Sequence, residues 1–205
     1  MMAVMDYLLT PEEKALKEAL RSFVALEVPS LRAVASPDKE ITEILILKVG
    51  EFLRERKERP EIKGSVSLSG VETVIALEEI LKGLPTAGPE SAAGMLFEGL
   101  SPEVRSSAAL LGSAQGVLAS CVGRAFSRHG LEASGHDCGA LDQELADVLS
   151  AIEAARLLTF RAAILDDEER PDSEEAAKAK LQAEELASRA EKLAALIKKG
   201  EHHET

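Results

Sequence analysis

The sequence predicts an all-α protein, a bundle of about six helices, and three observations predict it. The chain of 205 residues is 45% hydrophobic but only 3% aromatic, with no Trp, so its core is built from Leu, Ile, Val and Ala. Ala and Leu are the strongest helix formers, and small side chains let helices approach closely. Apolar residues recur at helical spacing along most of the chain, in runs punctuated by capping residues and prolines.

The elements follow in order. Thr10-Pro11-Glu12-Glu13 places a cap residue, a proline in the first turn and a glutamate at the third position, a capping box. The helix it opens carries Leu16, Leu20, Phe23 and Val24 on one face and is expected to end before Pro29. Ser36-Pro37 opens a second helix with Ile41, Ile44, Leu45, Val49 and Phe52 as its stripe, and a polar tail ends in Pro60 and Gly64. One short extended piece is expected from Gly64 to Ser69, where Val66 and Leu68 alternate. Ser69 and Glu72 form another capping box, for a helix running to Gly83. Residues 84–100 are rich in Gly, Pro and small side chains, with a short helix expected around Ser91 to Phe97.

Ser101-Pro102 starts a long helix to about His129, with Val104, Ala108, Leu111, Leu118, Val122 and Ala125 at helical spacing. After a loop rich in Gly and His, the next helix carries Leu141, Leu145, Val148, Ile152 and Ala155 inward and stops before Pro171. The last helix runs from about Ser173 to Lys199. Its Ala176, Ala179, Ala183, Leu186, Ala190, Leu193 and Ile197 make a heptad seam largely of alanine. Packing against neighbours in the same chain is the preferred reading of that seam, ahead of a contact between chains. The expected organisation is an N-terminal helical region, 1–100, a C-terminal bundle, 101–200, and a polar tail, 201–205.

The net charge of −12, from 36 acidic and 24 basic residues, repels phosphate backbones, and no basic stripe with interleaved aromatics offsets it. Nucleic acid is therefore excluded as the expected partner. No apolar run approaches a membrane span, and the start lacks the basic region of a secretory signal. Cys121 and Cys138 make no CxxC, which fits reduced thiols in a cytoplasm. His129, His136 and Cys138 match no standard zinc spacing and are expected to be loop residues; His202 and His203 fall in the polar tail. Cys121 is expected to be an inert buried thiol. Asp166-Asp167-Glu168-Glu169 is expected to be a solvated helix end. Ser22, Ser113 and Ser120 have no histidine in motif spacing, so no serine nucleophile is expected.

Several stretches, in order, resemble the acyl-CoA dehydrogenase family. Leu145-Ala146-Asp147, Glu153-Ala154-Ala155-Arg156-Leu157-Leu158 and Arg161-Ala162-Ala163 are similar to its C-terminal helical domain, and Gly112-Ser113-Ala114-Gln115-Gly116 to the helix before it. Ala76-Leu77-Glu78-Glu79 resembles a helix of the family's N-terminal domain, and the segment around Phe23, Glu27 and Pro29 its first helix. The resemblance implies two helical domains and a role in dimers or tetramers. It covers about three quarters of the chain.

The resemblance stops at the chemistry. Family members insert a β domain between the helical ones, for which the chain has no room between Phe97 and Ser101. Their catalytic glutamate comes from a Tyr-Glu-Gly-Thr segment beyond this chain's last residue, or from a helix start that aligns with Pro102, one residue short of Glu103. A helix turns about 100° per residue, so Glu103 is expected to point elsewhere. The family's Arg-x-Gln-Phe-Gly turn contacts the flavin pyrophosphate of a neighbouring subunit. Here Arg128 keeps the arginine, but Gly130, Leu131 and Glu132 replace the rest, and Gly139 stands where a later glutamine is expected.

The implied reading is a shortened relative without catalysis of its own, with no catalytic residue and no bound cofactor, acting as an assembly or regulatory partner. Its expected partners are further copies of itself or a full-length acyl-CoA dehydrogenase-like protein. One alternative is a subunit that shares an FAD site with another chain through Arg128. The other is a module that binds acyl-CoA or an apolar ligand, against which the acidic charge weighs.

Overall fold

A computed structural model of the chain describes residues 9–35, 38–56, 68–84, 100–127, 138–170 and 172–200. Six helices occupy nearly all of it: α1 (Pro11–Arg32), α2 (Asp38–Arg56), α3 (Gly70–Gly83), α4 (Pro102–Ser127), α5 (Cys138–Asp167) and α6 (Ser173–Gly200). Among the described residues there is no strand, so the all-α expectation holds. Residues 64–67 and 91–97, where an extended piece and a short helix were expected, lie outside the described residues; Leu68 and Ser69 are non-helical residues leading into α3.

Both capping boxes form. The Thr10 hydroxyl accepts from Glu13 N at 3.2 Å while the Glu13 carboxylate accepts from Thr10 N at 2.7 Å. Ser69 and Glu72 repeat the exchange at 3.2 and 2.9 Å. These pairs satisfy amide donors that have no partner within a helix's first turn.

The expected stop before Pro29 is wrong: α1 runs through it to Arg32. Proline removes one amide donor and crowds the preceding turn. Here, however, Val28 and Leu31 are both buried, and burying the turn beyond Pro29 outweighs one missing hydrogen bond. The chain then closes with Val34 N and Ala35 N donating to Leu31 O.

α3 lies at the centre, with Val74 to Leu77 and Ile80 to Leu81 fully covered by neighbouring helices. One apolar cluster joins α1, α2 and α3 to Val104, Ala108 and Ala109 of α4 and Phe160, Ala162 and Ala163 of α5. A second joins Leu111, Ala114 and Leu118 of α4 to Val148, Ile152 and Ala155 of α5 and Ala183, Leu186, Ala190 and Leu193 of α6. The alanine-rich seam of α6 therefore packs within its own chain.

Gly112 shows how closely α3 and α4 approach, because a Cβ there would overlap the carbonyl of Glu78. Among the described residues, no helix is long and apolar enough to cross a membrane.

Candidate functional site

Glu78 and Glu79 are adjacent on α3 and both buried, at 1% and 3% exposure. Successive helical positions point about 100° apart, so the two carboxylates serve different neighbours. Glu79 turns towards α1, where Arg21 donates through Nε at 3.4 Å and NH2 at 3.3 Å, and Lys82 lies 3.8 Å away. Glu78 turns towards α4 and α5. Its Oε1 is 2.9 Å from Arg156 Nε and also accepts from the Gln115 amide.

Among the described residues, Arg156 is the largest fully buried side chain. Its guanidinium carbon sits 5.4 Å from the centre of the Phe160 ring, and Glu153 lies 3.8 Å from NH1. The attraction between cation and ring face adds to the ion pair where water is excluded. Below this cluster, one helical turn on, the Ser107 and Thr159 hydroxyls meet at 2.6 Å. Thr159 uses its proton on Ala155 O at 2.8 Å, so Ser107 donates to Thr159.

A second polar cluster closes the end of α5. Both oxygens of Asp167 accept from Gly70 N, at 2.7 and 2.8 Å, and Asp166 accepts from Ser101 N at 2.8 Å. Two consecutive carboxylates thus cover the starts of α3 and α4, where free amides and the helix dipoles favour negative charge. This corrects the expectation of a merely solvated end, which holds for the exposed Glu168 and Glu169. Glu169 adopts a left-handed φ of 53°, and Arg170 N returns to Leu165 O at 3.0 Å, which terminates the helix.

The residues that carried the resemblance converge. Ala76 to Glu79, Gly112 to Gly116 and Glu153 to Leu158 lie on three helices, and Glu78, Gln115 and Arg156 bring them to one buried point. The sequence reading missed this constellation as a site, although each stretch had drawn attention separately. Its available signal was a charged or amide residue inside an otherwise apolar helical run.

Arg128, His129 and His136 lie outside the described residues, as do the side chains of Cys121 and Cys138. Glu103 stands half-buried in the first turn of α4. Among the described residues no group of three or more His, Cys, Asp or Glu converges as a metal site would require.

Arg156, the buried cation of the shared motifs, does not fit a flavin. Arg156 is 1% exposed and closed over by Glu78 and Phe160, so a pyrophosphate could reach it only by breaking the ion pair. Chemically the cluster neutralises and orders three helices.

The comparisons with known proteins cover the second half of the chain, which holds Gln115 and Arg156. The family model described as "Acyl-CoA dehydrogenase, C-terminal domain" matches residues 104–197. The short-chain specific acyl-CoA dehydrogenase, mitochondrial, of Bos taurus is 45% identical over 78 residues, 38% of this chain and 19% of that protein. Its counterparts in Rattus norvegicus and Homo sapiens are each 44% identical over the same shares. The match thus takes in less than a fifth of those relatives' length. No solved structure matches the chain. Residues 104–197 are thus similar to the C-terminal domain of the acyl-CoA dehydrogenases.

Proposed function

We propose that this chain is an assembly or regulatory unit of the acyl-CoA dehydrogenase type, without catalysis of its own. The observation that supports the reading is the engagement of Glu78, Gln115 and Arg156 with one another inside the bundle. These three side chains hold α3, α4 and α5 together there. The two helical regions, 1–100 and 101–200, serve in this reading as one scaffold. The partners are further copies of the chain or a full-length acyl-CoA dehydrogenase-like protein. A reducing cytoplasm suits its two cysteines.

Turnover tests the reading. The purified chain, supplied with FAD, acyl-CoAs of short to long chain and an artificial electron acceptor, is expected to give no acyl-CoA-dependent reduction of the acceptor. Sustained turnover overturns the reading.

A second reading rests on Arg128, which occupies the arginine position of the family's flavin-contacting turn. In that case the chain contributes to an FAD site completed by a partner chain. Arg128→Ala then lowers the flavin content of the complex, and an unchanged content removes this reading.

A further inference from the structure

The second half of α1 presents an apolar face to solvent. Leu26 and, just past the helix end, Val34 are 72% and 82% exposed, more than any other large apolar side chain described. From Ser22 to Val34, every exposed residue except Arg32 is uncharged. Glu27, the other charge in this stretch, turns to α2 and meets Lys48 at 2.6 Å. The hydroxyls of Ser22 and Ser30 donate back to Glu18 O and Leu26 O, at 2.9 and 3.3 Å. Covering this face therefore strands neither hydroxyl proton. Exposed leucines elsewhere stand singly among charges, as is usual on a wetted surface. Leu47 lies beside Glu51 and Arg54 on α2, and Leu181 between Lys178 and Glu185 on α6.

We propose that this face of α1 is a contact with a second copy of the chain, the two helices packed antiparallel about a two-fold axis between Ala25 and Leu26. The proposal rests on the assembly reading above and names a surface for it in the N-terminal region. The pattern of exposed positions selects the occupant. The two-fold brings Ser22 level with the partner's Pro29, Ala25 with its Leu26 and Glu18 with its Ala33, all of them exposed, so the stripe is complementary to itself. Leu26 then meets the partner's Leu26 beside the axis. Glu18, 63% exposed, comes within about 1.5 Å, one residue's rise, of the level of the partner's Arg32, and the symmetry forms that pair twice. A parallel arrangement sets Glu18 against Glu18 and Arg32 against Arg32, which like-charge repulsion disfavours. The short side chains of Ser22, Ala25 and Ala33 let the axes approach within about 8–10 Å. From Glu18 to Ala33 the stripe spans about 22 Å. One helix pair of that length buries less than the roughly 1,200 Å² typical of stable interfaces, so the contact is weak and concentration-dependent.

Disulfide trapping tests this surface directly, with circular dichroism confirming that each variant is folded. In a Cys121→Ser/Cys138→Ser background, Leu26→Cys is expected to form a covalent dimer on mild oxidation, and Leu181→Cys, also well exposed, is not. Sedimentation velocity from micromolar to millimolar protein supplies the second measurement. Glu18→Arg and Arg32→Glu each set like charges opposite one another and are expected to weaken association at least about tenfold. An equimolar mixture of these two variants restores both ion pairs and is expected to associate as wild type does. Leu26→Cys that cross-links no faster than Leu181→Cys overturns the proposal, as does association indifferent to both charge reversals. A chain that oligomerises while Leu26→Cys stays uncross-linked keeps the assembly reading and removes this surface.

Discussion

Removing Arg156 leaves the Glu78 carboxylate buried at 1% exposure with the Gln115 amide as its remaining donor on α4. Breaking one side of a buried ion pair costs about 3–5 kcal/mol, because the remaining charge is uncompensated. Arg156→Met also gives up the contact with the Phe160 face, about 0.5–2 kcal/mol where water is excluded. The expected loss is therefore at the upper end, about 4–5 kcal/mol. Glu78→Leu should cost less, about 3 kcal/mol, because Arg156 retains Glu153 at 3.8 Å, itself partly solvated. The double variant Glu78→Leu/Arg156→Met buries no charge at this point and is expected to recover most of the loss. Equilibrium urea unfolding of the four proteins measures the cycle, and the heat-denaturation midpoint of Arg156→Met should fall by about 8–20 °C for a chain of this size. If Arg156→Met costs under about 1 kcal/mol, or if the double variant loses the sum of the single losses, the account of an occluded and mutually compensating pair is refuted.

Gly112→Ala gains about 1 kcal/mol in helix propensity but forces α4 away from the Glu78 carbonyl, an overpacking cost of about 1–3 kcal/mol. A net loss in urea unfolding is expected, and a stabilised variant would show that the two helices separate easily. Asp167→Ala removes the acceptor at Gly70 N and is expected to cost about 1–2 kcal/mol. The Gly70 amide should exchange with deuterium faster in that variant, and unchanged exchange would contradict the clamp. Glu169→Gly relieves a side chain held at positive φ and is expected to stabilise by about 1 kcal/mol, seen as a higher urea midpoint. An unchanged or lower midpoint would show that the Glu169 side chain supports the turn.

The helices were legible because their signals are local. Thr10 with Glu13 and Ser69 with Glu72 are each three residues apart, and the α6 heptad is visible within 28 residues. Pro29 misled because its penalty is local, whereas the burial of Val28 and Leu31 that overrides it comes from other helices. The buried cluster was hidden for the same reason: Glu78, Gln115 and Arg156 are separated by 37 and 41 residues, and nothing along the chain says which face each presents to the others. Asp166 and Asp167 read as one end of a polar run, since their partners, Ser101 N and Gly70 N, are 65 and 97 residues away. Family likeness located the three motifs, and the fold supplied the reason they share a point.

The most direct measurement on the central claim is the visible absorption spectrum of the freshly purified chain after dialysis against FAD-free buffer. No flavin band is expected if the shared motifs serve only helix packing in this chain. A near-stoichiometric flavin band that survives dialysis would contradict it, since the chain would then hold the cofactor by itself.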